Sequence, residues 1–192
     1  MSSTVLYMSM SLDGFVAGPN ERPDNGLGDG GERLHEWVVG GDGEQLDGGD
    51  REVLDDFLST GAVLAGRGTF EPAGGWGGDH HDGVPIFILS RHRPAPPYAE
   101  WPAVTYLSDV EDAVRRAKEA AGEKNVLVHG VGTAQRCLLA GLLDEIEIHL
   151  VPVLLGEGRR LFEHLGAEHI ELETIQVVRG REVTHLRYRV RR

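Results

Sequence analysis

The stretch Val126-Leu127-Val128-His129-Gly130-Val131-Gly132-Thr133-Ala134 decides how this chain is read. Three apolar, β-favouring residues meet a glycine-spaced turn, and the spacing predicts a helix over Thr133–Leu142. Strand, glycine turn and helix start present bare backbone N–H groups and the positive end of a helix to a phosphate. A plain strand-to-helix turn, with Thr133 as its N-cap, is the competing reading.

Two neighbouring strand ends repeat the chemistry. Ala62–Ala65 reads as a strand and runs into Gly66-Arg67-Gly68-Thr69. Gly66 permits close backbone approach, Arg67 brings a fixed positive charge, and Thr69 falls at the start of a short helix. Pro85–Leu89 reads as a strand followed by Ser90-Arg91. A hydroxyl and a guanidinium there suit the 2′-phosphate that separates NADPH from NADH. Each piece alone is also an ordinary cap or surface arginine. Together they carry more, because ligands of parallel sheets gather at the carboxyl ends of the strands.

The rest of the chain alternates strands and helices. Val5–Met10 is an opening strand, Ser11–Gly14 a turn and Phe15–Ala17 a second short apolar piece. Gly18–Gly31 reads as a loop, Glu32–Val39 as a short helix and Gly40–Gly49 as a polar glycine-rich loop. Asp50–Ser59 carries Val53, Leu54, Phe57 and Leu58 on one helical stripe. Gly74–Gly83 and Arg91–Pro102 are irregular. After the strand Ala103–Leu107, Ser108 and Glu111 read as a capping box for a helix that ends near Ala121 at Gly122. Glu145–Leu155 is a long strand interrupted at Pro152. Ile170–Val178 and Glu182–Val190 form a hairpin about Arg179-Gly180, with Leu186, Tyr188 and Val190 on one face. This pattern specifies one α/β domain over residues 1–192, its sheet mixed but mostly parallel, with a C-terminal antiparallel hairpin.

Bulk properties narrow the function. The chain has 192 residues and a formal net charge of -12, which argues against a general nucleic-acid or anionic-membrane surface. A single cysteine, Cys137, rules out an intramolecular disulfide and a thiolate-built zinc site. No apolar run approaches the roughly 20 residues of a membrane span. The N-terminus lacks the basic start and apolar core of a signal peptide. A cytoplasmic protein is the expectation.

Asp13 follows a strand and precedes a glycine. It can orient substrate, supply a proton if its pKa is raised, or close an Asx turn on its own backbone. Glu32, Glu36 and Asp42 lie where a segment could cover a cleft. His80-His81-Asp82 are adjacent residues, poorly spaced to chelate one metal, and no metal is expected. His129 sits beside the glycine turn, where it touches ligand or serves as a hydrogen-bonded edge residue. Cys137 reads as a small core residue.

These residues resemble a known family. Ser11-Leu12-Asp13-Gly14 with Ala17-Gly18, then Gly66–Glu71, then Ser90-Arg91, are similar to stand-alone dihydrofolate reductase-like proteins. The match is to the reductase domain of the bifunctional riboflavin-biosynthesis deaminase-reductases. Its most specific stretch is Gly141–Glu145 running into Pro152-Val153-Leu154-Leu155-Gly156-Glu157-Gly158 and Leu161-Phe162. The resemblance implies a three-layer α/β/α fold, NADPH as hydride donor and a homodimer. It places Gly66, Arg67, Thr69, Ser90, Arg91, Gly130, Gly132, Thr133 and Ala134 on the cofactor, with Ala17 and Gly18 along the nicotinamide. Asp13 and Trp37 fall to the substrate, with Asp13 as the catalytic candidate.

Two features depart from the family. His129 stands where the bifunctional enzymes carry an acid, and the zinc-dependent deaminase half is absent. Folate reductases carry an acid on the first helix, for which Glu32 and Glu36 are the loose candidates. The reading is an NADPH-dependent reductase of a pterin-like or aminopyrimidine-like ring, in the manner of a 5-amino-6-(5-phosphoribosylamino)uracil reductase or a dihydrofolate reductase. A non-catalytic NADPH-binding or sensing protein on the same fold is the alternative.

Overall fold

A computed structural model describes residues 2–22, 24–39, 46 and 48–191. Asp42 and most of the expected Gly40–Gly49 loop lie outside the described residues. The chain forms two compact units, one of residues 1–6 and 59–144, the other of residues 7–58 and 145–192. Strand β1 (Thr4–Ser11) threads both.

In the first unit, β3 (Ala62–Gly66), β4 (Ile86–Leu89), β5 (Val104–Leu107) and β6 (Val126–His129) are parallel neighbours in the order β5-β4-β3-β6. The start of β1 pairs with β6, also in parallel. Val63, Leu64, Ile86, Ile88, Leu127 and Val128 are buried, which is why these strands read as unbroken apolar runs. Helix α4 (Val110–Ala121) lays Ala113, Val114, Ala117 and Ala121 against them, and Gly122 ends it at φ 63°. Its cap is Asp109, whose carboxylate accepts from Asp112 N, and not Ser108 as the spacing suggested. Asp109 is the residue with extended backbone just before the helix, the geometry a side-chain cap requires.

In the second unit, β7 (Glu145–Val151), β9 (Leu172–Arg179) and β10 (Thr184–Val190) supply the antiparallel part, with β10 paired to both others. The full order is β5-β4-β3-β6-β1-β7-β10-β9, a mixed, mostly parallel α/β sheet ending in the expected C-terminal hairpin. Strand β7 stops at Val151, before Pro152.

A second, two-stranded sheet was not foreseen: β2 (Phe15–Ala17) pairs with β8 (Arg159–Arg160). Two exposed arginines carry no periodicity to reveal a strand. The expected helix Glu32–Val39 is a 3₁₀ turn, Gly31–His35, leading into α1 (Glu36–Val39). Helix α2 (Gly48–Leu58) starts two residues earlier than the apolar stripe indicates.

Candidate functional site

The carboxyl ends of β3, β4 and β6 lie along one edge of the first unit, because the strands are parallel and in register. Ala65 pairs with His129, and Gly66 with Leu89. Three sequence-predicted clusters are thereby brought together. From β3 the chain passes through Gly66 into the single-turn helix α3 (Arg67–Phe70). From β6 it passes through Gly130 into α5 (Val131–Leu139).

Helix α5 begins at Val131, two residues before the expected start, and ends at Leu139. Gly130 is its cap, at φ 91°, and no side chain caps it. Thr133 is therefore not the N-cap; it lies within the first turn, buried. Its Oγ1 has no hydrogen-bond partner. The two turns interlock: a Cβ on Gly66 would stand 3.0 Å from Thr133 Oγ1, and one on Gly130 would overlap Thr69 Oγ1. Gly130 thus has both a backbone and a steric reason to lack a side chain. Gly132 is exposed and Ala134 buried under the turn. The first amides of α5 have no intrahelical acceptor, as at any helix start.

Arg67 is half-exposed and pairs with Glu71 at 3.0 Å. Glu71 also accepts from Tyr106 Oη at 3.3 Å. Ser90 closes a local turn, accepting from His92 N at 3.0 Å. Arg91 is exposed, and no ion pair joins it among the described residues. Orphaned Thr133 Oγ1, open helical amides and two arginines fit a phosphate-bearing group.

Asp13 belongs to the second unit. Its carboxylate accepts from Ser11 Oγ at 2.6 Å, Leu155 N at 3.1 Å and Gly156 N at 2.7 Å. The Ser11 hydroxyl first, with those amides, pulls its pKa down to about 2. Proton supply called for a raised value; these donors act in the opposite direction and hold Asp13 as a clamp. It ties the turn after β1 to the Leu155–Gly158 segment, alongside β2 and β8. Gly158 packs so close to Ala17 that any Cβ would overlap the Ala17 carbonyl oxygen. Arg160 stacks 4.3 Å over the Phe15 ring. The Leu155–Gly158 part of the stretch most specific to the resemblance is thus a loop pinned against Ala17 and Gly18. An open pocket beside it is lined by Gly18, Asn20, Glu21, Gly158 and Arg159.

A buried polar layer lies under α2 that sequence reasoning missed. His185 Nε2 donates to Asp50 Oδ1 at 2.8 Å, and His149 and His185 face each other through Nδ1 atoms 2.9 Å apart. All three are 5% exposed or less. Trp37, half-buried, sits with its ring 4.7 Å from that of His149 and 4.8 Å from that of His185. Its Nε1 donates to Ser9 Oγ at 2.9 Å. Further along, Arg187 bonds Glu145 at 2.8 Å and Asp56 at 2.7 Å, and Tyr7 Oη donates to Asp56. Burial raises the Glu147 carboxyl to about 7, and Glu147 Oε2 has no hydrogen-bond partner. The signal was present as the alternation Glu145, Glu147, His149 within an apolar strand. Asp50, and neither exposed Glu32 nor exposed Glu36, is the acid buried on a helix here.

His81 Nε2 lies 3.2 Å from Thr60 Oγ1, and its Nδ1 is 2.7 Å from His80 Nδ1. Burial, then the charges of His129 and His81, press His80 down to about 3. His129 ends β6 beside Trp76, ring centroids 6.3 Å apart. Cys137 is buried on α5, which pushes its thiol up to about 12. Among the described residues no group of three or more potential ligands is gathered for a metal. Nor, among them, is any helix long and apolar enough to cross a membrane.

Comparison with known proteins gives a consistent picture. The family model of the RibD C-terminal domain matches residues 3–186. The protein YwjB of Bacillus subtilis (strain 168) is 26% identical over 173 residues, covering 86% of this chain and 85% of YwjB. Among solved structures, a putative riboflavin biosynthesis protein from Shewanella sp. PV-4 superposes with TM-score 0.74 at 22% identity, covering 99% of both chains. A dihydrofolate reductase from Enterococcus faecalis, complexed with NADP(H) and RAB-propyl, gives TM-score 0.60 at 14% identity. It is covered to 97%, and this chain to 99%. At these identities the two structures show the fold, which is dihydrofolate reductase-like.

Proposed function

The chain belongs to the RibD C-terminal domain family, and we propose on that premise that it is an NADPH-dependent reductase of a pterin-like or aminopyrimidine-like ring. The observation that carries the reading is the interlocked pair of glycine turns after β3 and β6. There Gly66, Gly130, Gly132, Thr133 and Ala134 would cradle the cofactor's phosphates at the start of α5. Arg67, Thr69, Ser90 and Arg91 would hold the remaining polar groups, Arg91 taking the 2′-phosphate. Ala17 and Gly18 would lie along the nicotinamide, and Trp37 would stack the substrate ring. NADPH would supply the hydride; the protein's share is binding, orientation and the proton. A homodimer belongs to the same reading, and light scattering across a concentration series tests it.

Calorimetric titration with NADPH and NADH is the deciding experiment. NADPH is expected to bind, and Arg91→Ala to weaken it about tenfold or more while leaving NADH binding little changed. Failure of the wild-type protein to bind either nucleotide overturns the reading. The second reading is a nucleotide sensor without turnover, which the same interlocked glycine turns support. Absorbance at the NADPH band during a substrate screen separates the two.

A further inference from the structure

Three asparagines occur in the chain, Asn20, Asn25 and Asn125, and Asn25 is the one followed by glycine. An asparagine side chain is open to attack by the backbone nitrogen of the next residue. Glycine leaves that approach unhindered because it has no Cβ. Asn20 precedes Glu21, and Asn125 precedes the β-branched Val126 that begins β6. Asn25 is half-buried and Gly26 exposed, both in the loop of residues 18–31. No backbone carbonyl among the described residues accepts from the Gly26 N–H.

The Asn25 side chain also holds this loop in shape. Its Nδ2 donates to Asp29 Oδ1 at 2.8 Å, while Asn20 Nδ2 donates to Asp29 Oδ2 at 2.7 Å. The Asn25 backbone exchanges hydrogen bonds with Arg22 and accepts from Gly28 N at 3.0 Å. Asp29 N donates to the Pro19 carbonyl and Gly18 N to the Leu27 carbonyl, so the returning limb lies directly on Gly18. A Cβ on Gly18 would overlap the Asp29 carbonyl, and one on Gly28 would overlap that of Gly18. Arg22 is engaged by Asp24, and Arg159 by Glu21. A carboxylate at position 25 would therefore replace a donor to Asp29 by a second negative charge.

We propose that Asn25 is a self-modification site whose conversion to aspartate or isoaspartate opens the 18–31 loop from Gly18. The Gly26 nitrogen gives up its proton and attacks Asn25 Cγ. The N–Cγ bond forms, the Cγ–Nδ2 bond breaks, and Nδ2 leaves with a proton as ammonia, giving a succinimide. Water then opens the ring. Attack at Cγ leaves aspartate; attack at the backbone carbonyl leaves isoaspartate, with the main chain running through Cβ and Cγ. One water is consumed and one ammonia released, with no change of oxidation state. Both products put a negative charge where the amide stood, and isoaspartate also lengthens the backbone ahead of Gly28. The consequence for the cofactor rests on the reductase reading, in which Gly18 lies along the nicotinamide. The modification itself does not rest on it.

The test ages the full chain in mildly alkaline buffer and maps it by peptide mass spectrometry, with isoaspartate counted by enzymatic methyl transfer. Position 25 should convert well ahead of Asn20 and Asn125. Gly26→Ala should retain its amide over the period in which the wild type loses it. In aged protein and in Asn25→Asp, hydrogen exchange should rise at Gly18, Gly28 and Asp29. Unchanged exchange in β3 and β6 reports that both remain folded. NADPH binding in calorimetry should weaken about tenfold in both. An Asn25 amide that survives as long as those of Asn20 and Asn125 overturns the site. Wild-type exchange at Gly18, Gly28 and Asp29 in aged protein and in Asn25→Asp overturns the loop opening. Unchanged NADPH affinity in a loosened loop overturns the cofactor consequence. Fresh wild type that binds no NADPH counts against the reductase reading, and mass and exchange then decide the modification and the loop opening by themselves.

Discussion

Glu147→Gln should gain stability on the wild type as pH rises from about 4.5 through neutrality. The Glu147 carboxyl is 3% exposed, its Oε2 lacks a hydrogen bond, and Arg187 Nη1 stands 3.4 Å away. Burial, reinforced by Asp56 and Glu145 and opposed by Arg187, raises it from 4.5 to about 7. A carboxyl bound to its proton more tightly in the folded than in the unfolded chain stabilises fully below the unfolded value. That contribution is lost as pH rises from the unfolded value through the folded one. The full difference is worth about 3 kcal/mol at about 1.4 kcal/mol per tenfold change in proton affinity. Glutamine keeps the shape and never ionises, and Arg187 retains Glu145 and Asp56 as partners. The variant's stability relative to wild type should therefore climb by about 2–3 kcal/mol between about pH 4.5 and 8. Urea denaturation read by tryptophan fluorescence measures it, and titration of the histidines common to both proteins cancels in the difference. Two stability curves that stay parallel across that range, or a wild type that gains on the variant with rising pH, would refute the reasoning.

Other predictions follow from single contacts. Gly130→Ala forces a side chain into φ 91° and into the Thr69 hydroxyl, so it should cost about 1–3 kcal/mol in urea unfolding. The same change should abolish nucleotide binding in calorimetry, whereas Gly132→Ala, with open space around its Cβ, should leave the fold intact. Asp13 is held at about 2, so its contribution is present above the ordinary aspartate range and is lost as pH falls toward about 2. Asp13→Asn should accordingly flatten the acid limb of stability and raise hydrogen exchange at Leu155 and Gly156. Cys137, pushed up to about 12, should resist a thiol reagent at mildly alkaline pH until the protein unfolds. Rapid labelling of the native protein would contradict its burial.

What was legible in the sequence follows from the range of the forces involved. The parallel strands β3, β4 and β6 bury both faces, so each appears as an apolar run that ends where polar chemistry begins. Their glycine turns are local, and the residues proposed to face a nucleotide are gathered by the register of these strands. The helix boundaries slipped for equally local reasons: Gly130 caps α5 without a side-chain signal, and Asp109 competes with Ser108 for the same cap. Strand β8 could not be seen, because Arg159 and Arg160 owe their extended backbone to pairing with Phe15 and Ala17 and not to their own character.

The second unit shows where sequence reasoning stops. Asp13 sits at a strand end, as a catalytic acid would, yet its environment consists of donors: one hydroxyl and two amides from a segment more than 140 residues away. Those donors stabilise the charged form and convert a nominal acid into a structural anion. Asp50, His149 and His185 show the converse. Each is unremarkable in its own stretch of sequence, separated by up to 135 residues, and they come within hydrogen-bond reach only because β7, β10 and α2 stack them. Residue type at a strand end can therefore point to a candidate phosphate site, whose requirement is exposed backbone and fixed charge. It does not locate a proton donor, whose requirement is a field assembled from distant parts of the chain.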